Sequence, residues 1–147
     1  MNTEKTEQAA VNPAGPAEPA ANPLEEFFGP IIYSYTRAQA LEDEVLFDVS
    51  ELAREAGVRY HTAVTAAVWQ RVACVPEAVP WQSTSGRLWD LVWMFSWAAR
   101  EAGDTNIVHF VVGIDDGQGV EEVTFKAVCG PGDEGEPVIT IMLPHED

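Results

Sequence analysis

The chain reads as an α+β protein whose helices pack on a C-terminal three-stranded antiparallel meander. Three observations predict this. Apolar residues recur with a helical period up to about residue 102, and from Ile107 onward they alternate with polar ones. The order, helices first and strands afterwards, segregates the two kinds of element instead of interleaving them.

Residues 1–23 hold Pro13, Pro16, Pro19 and Pro23 amid Ala, Asn and Gly, without an aromatic residue. Such a segment cannot bury enough apolar surface to offset its ordering entropy, so a disordered tail is expected, followed by one domain over 24–147. Pro30 stops any short helix after Leu24, and the β-branched and aromatic stretch 31–35 predicts a short strand. Thr36 and Gln39 have capping-box spacing, which predicts a helix over 37–43. A short strand follows at 45–49. Ser50 is expected to cap a helix over 50–56, with Glu51 in its first turn and Gly57 just past its end. The next helix is expected over 62–75, ended by Pro76, and the longest over 85–102. The quartet Arg-Glu-Ala-Gly occurs at 54–57 and 100–103, both read as helix exits. Strands are expected over 107–114, 120–129 and 138–143. Their connections are the turn at 115–119 and the Gly/Pro-rich loop at 130–137. The inward face of the middle strand is Val123, Phe125, Ala127 and Cys129.

Composition narrows the function classes. The 147 residues are 46% apolar and 10% aromatic, enough to build a core in spite of a net charge of -16. No apolar run approaches the roughly 20 residues of a membrane span. Residues 1–7 have neither the basic patch nor the apolar stretch of a signal peptide, so a cytoplasmic protein is expected. Cys74 and Cys129 are too few for a disulfide scaffold and are expected to act as small hydrophobes. A pI near 4.3 makes nucleic acid an unfavourable partner.

The charge is unevenly spread. Residues 104–147 carry ten acids against Lys126 alone, a net of -9. The meander sorts these acids in space. Asp115, Asp116, Glu121 and Glu122 fall at one end, where the tail residues Glu146 and Asp147 are also expected. Asp104, Asp133, Glu134 and Glu136 fall at the other, roughly 20 Å away. Acidic turns keep a protein soluble; the functional alternative is an acidic surface that engages a basic partner protein. The run 115–122 lacks the alternating oxygen ligands of a calcium loop.

Trp89, Trp93 and Trp97 recur every four residues and so line one stripe of the long helix, with Leu88, Val92 and Phe95 on or beside it. Burial against the sheet is the expected role of this stripe, and a homodimer or partner interface is the alternative. Residues 51–73 imitate a helix-turn-helix, although Arg71 is the only certain cation of the second helix, which favours a structural helix pair. His61, His109 and His145 make no metal-binding spacing, and Gly130-Pro131-Gly132 lacks the Lys-Ser/Thr of a phosphate loop. No catalytic residue, metal or cofactor is predicted. A small-ligand enzyme using Tyr33, Tyr35, Arg37 and the loop 130–137 stays open as an alternative.

Five stretches carry a resemblance. They are YSYTRAQA at 33–40, REAG at 54–57, AAVW at 66–69, RLWD at 87–90 and CGPGDEGEPVITIMLP at 129–144. Across about residues 31–147 the chain resembles a family of small uncharacterised proteins carried on bacterial plasmids, integrative elements and phages. That family has no assigned activity and supplies no catalytic residues. The resemblance implies a bacterial, cytoplasmic setting accessory to a mobile element. With the charge, it leads to the expectation of a non-enzymatic protein that binds a basic partner and inhibits a host DNA-handling or defence system. A DNA-binding regulator using residues 51–73 is the alternative.

Overall fold

A computed structural model describes residues 35–147. The expected tail, and all of the expected strand at 31–35 except Tyr35, lie outside the described residues. Helix α1 (Arg37–Glu42) opens as its capping box dictates: the Gln39 N–H donates to Thr36 Oγ1 at 3.0 Å, and the Thr36 N–H donates to Gln39 Oε1 at 2.9 Å. Strand β1 (Leu46–Asp48) leads into helix α2 (Ser50–Glu55).

Ser50 does not cap that helix. Val49 holds the N-cap position, and Ser50 is the first helical residue, buried, with its hydroxyl donating to Asp48 Oδ1 and accepting the Thr62 N–H at 2.9 Å. The serine therefore ties the β1–α2 junction to the strand that follows.

That strand is the main departure from the expected elements. Residues His61–Thr65 form strand β2, not the first turn of a helix. It pairs antiparallel with β1 (Phe47 opposite Val64) and parallel with β5 (Pro137–Met142; Val64 opposite Ile141). Thr62, Ala63 and Val64 are all buried, so both faces of β2 are covered. A strand covered on both faces loses the alternation that marks a half-buried one, which is why its sequence mimics a helix start. The helical segment begins only at α3 (Ala66–Val68), where Thr65 Oγ1 accepts the Val68 N–H. It widens into a π-turn over Trp69–Ala73 and stops at Cys74. Cys74 is exposed, contrary to its expected burial, whereas Cys129 is half-buried.

Helix α4 (Thr84–Ala102) is capped by Ser83, whose Oγ accepts the Gly86 N–H. Strands β3 (Ile107–Asp115), β4 (Val120–Pro131) and β5 form antiparallel ladders in chain order. The meander is only part of the sheet, which has five strands in the order β1-β2-β5-β4-β3 and is mixed through the β2–β5 pair.

One face of the sheet presents Phe110, Val112, Ile114, Phe125, Ala127, Ile139, Ile141 and Val64 to Leu88, Leu91, Val92 and Phe95 of α4. The α4 residues are spaced as one helical face requires. Phe125 is fully buried and stacks obliquely on Phe110 at 5.8 Å. Helix α1 lies on the opposite face, where Arg37 donates from Nη1 to Thr140 Oγ1 at 2.8 Å and from Nη2 to the Ile139 carbonyl at 2.8 Å.

Candidate functional site

The ladders place the acids at two ends, as their order along the meander requires. Asp115 pairs with Val120 at one end of the β3–β4 hairpin, and Pro131 pairs with Pro137 at the far end of β4. The ends are further apart than expected, because β4 runs from Val120 to Pro131 and spans roughly 36 Å at about 3.3 Å per residue.

At the hairpin end the carboxylates are not equivalent. Asp116 stands between two guanidinium groups: Oδ2 accepts from Arg71 Nη1 at 3.0 Å and Oδ1 from Arg87 Nη2. Arg71 also reaches Glu121 at 2.9 Å. Arg87 is buried; its Nη1 donates to the Val72 and Cys74 carbonyls, and its Nη2 also to the Asp115 carbonyl. The hydrogen bond from Arg87, helped by the charge of Arg71, holds the Asp116 carboxyl below the ordinary carboxylate range. Asp115 Oδ1 accepts the Gly117 N–H at 2.8 Å and shapes the turn. Glu122 is exposed on the outer face of β4 and has no partner among the described residues.

At the far end Asp133 accepts the Arg37 and Ala38 backbone N–H groups at 2.7 and 3.0 Å, completing the N-terminus of α1. These two hydrogen bonds lower its pKa. Glu136 Oε1 accepts the Glu134 N–H at 2.9 Å, closing the loop on itself. The Glu134 carboxylate has no partner among the described residues. Arg37, half-buried, has its pKa lowered by desolvation, with Asp133, Asp48 and Glu136 acting against that shift.

The C-terminal tail does not reach the hairpin end. Glu146 is pinned halfway along β4, its carbonyl accepting from Lys126 Nζ and its carboxylate from Thr65 Oγ1 and the Leu143 N–H. The reason is length, since β5 ends at Met142, opposite Lys126.

Most of the tryptophan stripe faces away from the sheet, and only Trp89 packs against the edge of the core. Trp93 and Trp97 are 39% and 49% exposed, and Trp89 is half-buried. Leu88, Val92 and Phe95, expected on or beside the stripe, lie on the core side of the helix instead. Trp89 and Trp93 stack with centroids 5.6 Å apart, and the Arg100 guanidinium lies over Trp97 at 5.9 Å. The two Arg-Glu-Ala-Gly quartets meet, for a Cβ added at Gly57 would lie 3.1 Å from Arg100 Nη2. Beside this contact is an open cleft of about 310 Å³ lined by Val58, Arg59, Tyr60, Phe95, Ala99 and Arg100 among others.

Two further groupings bear on chemistry. Arg37 and the loop 130–137 do come together, but as a helix cap, and the cleft contains neither; Tyr33 lies outside the described residues. Asp48, Ser50 and His61 also converge, with Ser50 Oγ 3.4 Å from His61 Nδ1. Their connectivity is not that of a nucleophilic triad, because Asp48 bonds the serine and not the imidazole. No group of three or more His, Cys, Asp or Glu suited to a metal ion occurs among the described residues. The helix-turn-helix imitation fails on the fold itself, since β2 intervenes between α2 and α3. No helix among the described residues is long and apolar enough to cross a membrane.

Together these features define an α+β protein with a five-stranded mixed sheet, acids at both ends of its hairpin and an outward aromatic face on its longest helix. The chain belongs to a family of unknown function (DUF6573), whose model matches residues 24–147. No curated protein and no solved structure matches it.

Proposed function

We propose that this protein is a non-enzymatic, cytoplasmic binding module whose acidic sheet engages a basic surface on a partner protein. In the setting of a bacterial mobile element, the partner is a host DNA-handling or defence protein whose phosphate-binding surface the module occupies. The observation that supports this reading is the net charge of -9 over residues 104–147, where the one lysine is already committed to the Glu146 carbonyl. Acids confined to two ends fall short of one charge per roughly 1.7 Å of duplex, so the module binds a basic surface without copying DNA.

The test must spare the carboxylates that hold the fold. Reversing Asp116 or Glu121 would strip Arg71 and Arg87 of their partners, so a loss of binding there would be ambiguous. Glu122→Lys combined with Glu134→Lys changes two carboxylates without such partners. In affinity capture from the bacterial host, the double variant should retain at most a tenth of the partner that the wild type retains at low salt. Equal retention by the two proteins overturns the reading.

A further inference from the structure

We propose that α4 is the interface of a homodimer, with two copies packed antiparallel about a two-fold axis level with Phe95. Three properties of its outward face carry this inference. The first is the apolar surface left to solvent, with Trp93, Met94 and Trp97 at 39%, 41% and 49% exposure beside the half-buried Trp89. At on the order of 250 Å² for a whole tryptophan, these side chains expose about 300 Å², within the range of the largest apolar patch on a monomer, which is often a functional one.

The second property is charge. Asp90 is exposed near the N-terminal end of the stripe and Arg100 is exposed near its C-terminal end. Neither has an ion-pair partner among the described residues; the Arg100 guanidinium lies over its own Trp97 ring and beside Gly57. An isologous interface demands that a residue i meeting j be matched by j meeting i. A face with an acid at one end and a base at the other meets that demand only when two copies run antiparallel.

The third is register. In an antiparallel pair centred level with Phe95, residues equidistant from it in sequence come opposite each other. Asp90 then meets Arg100 of the second copy, and Trp93 meets Trp97 of the second copy. One axis position satisfies both pairings. At about 1.5 Å per residue the two ion pairs stand about 15 Å apart along the helix and bracket the tryptophans. The net charge of -16 opposes association, but charges beyond about 8 Å are largely screened at physiological ionic strength, whereas the ion pairs act at contact. The inference uses none of the sheet carboxylates, so it stands or falls separately from the proposed partner.

Sedimentation velocity of the full chain, from about 1 μM to about 1 mM, tests it. The wild type should pass from monomer to dimer across this range. Asp90→Arg and Arg100→Asp should each weaken the dimer at least tenfold, by placing like charges opposite one another. Combining Asp90→Arg with Arg100→Asp should restore it to within about threefold. All four proteins should keep the same far-ultraviolet circular dichroism, since both positions are exposed. A wild type that stays monomeric throughout overturns the inference. So does a dimer that either single reversal leaves unchanged, or a double reversal no better than the singles.

Discussion

Asp116 is the carboxylate on which the hairpin end depends, because it alone accepts from both Arg71 and the buried Arg87. Replacing it with asparagine leaves the Arg87 charge without its counterion and should cost about 1–2 kcal/mol, since the carboxylate is 41% exposed and water screens part of the pair. Glu121→Gln, at a carboxylate 71% exposed, should cost under about 0.5 kcal/mol. Urea midpoints at neutral pH separate the two. Asp116 also carries a pH signature. A carboxyl held below its unfolded value contributes stability that is complete above about pH 4 and is lost as pH falls through its folded value. The stability gap between wild type and Asp116→Asn should therefore be full at neutral pH and close on acidification below about pH 4. Gly117 offers a second residue-scale test. Its φ is 108°, and an added Cβ would lie 2.5 Å from the Ala78 Cβ, whereas Gly119, at φ 100°, meets nothing within 4 Å. Gly119→Ala should cost about 1 kcal/mol from backbone strain alone, and Gly117→Ala about 2–4 kcal/mol. Ala78→Gly in the Gly117→Ala background should recover the difference, and chemical denaturation of the four proteins checks it.

At the scale of elements, legibility followed the range of the code that specifies each one. Helix α1 was readable because Thr36 and Gln39 specify it within four residues. Strand β4 was readable because its outward face is mostly polar and the alternation survives, and β3 because its β-branched run is bounded by turn residues. Strand β2 was not, because burial of Thr62, Ala63 and Val64 on both faces erases the alternation, and its parallel partner β5 comes from a distant part of the chain. The tryptophan stripe misled for a different reason. Side-chain size pointed to burial, yet the smaller Leu88, Leu91, Val92 and Phe95 already fill the space over the sheet. The acidic ends were legible as positions but not as roles, because the arginines that engage Asp116 and Glu121 come from the π-turn and α4. These assignments predict where the backbone is most protected. Because β2 lies between two strands, the amides over residues 62–64, taken together, should exchange more slowly than those of the edge strand β1 and approach the rate of global unfolding. Amide hydrogen exchange by mass spectrometry reads this directly, and rapid exchange over 62–64 would contradict a central strand.

For the whole molecule, the net charge of -16 sets two salt dependences of opposite sign. Most carboxylates repel one another across the surface, and this repulsion weakens the compact state at low ionic strength. Raising salt from about 0.01 M to about 1 M shrinks the screening length from about 30 Å to about 3 Å, which removes long-range repulsion before it touches hydrogen-bonded pairs. The Arg71–Asp116–Arg87 contacts, at or below 3.0 Å, survive that change largely intact. Thermal stability should therefore rise with salt, by several degrees if the repulsion relieved is on the order of 1 kcal/mol. Capture of a basic partner should fall over the same range, because it depends on the field that salt removes. Differential scanning calorimetry and salt-stepped elution from the same preparation measure both. A melting temperature that falls with salt would mean that local ion pairs, and not surface repulsion, dominate the electrostatics of the fold. Rising stability with salt-insensitive capture would shift the recognition away from the acidic sheet to an apolar surface.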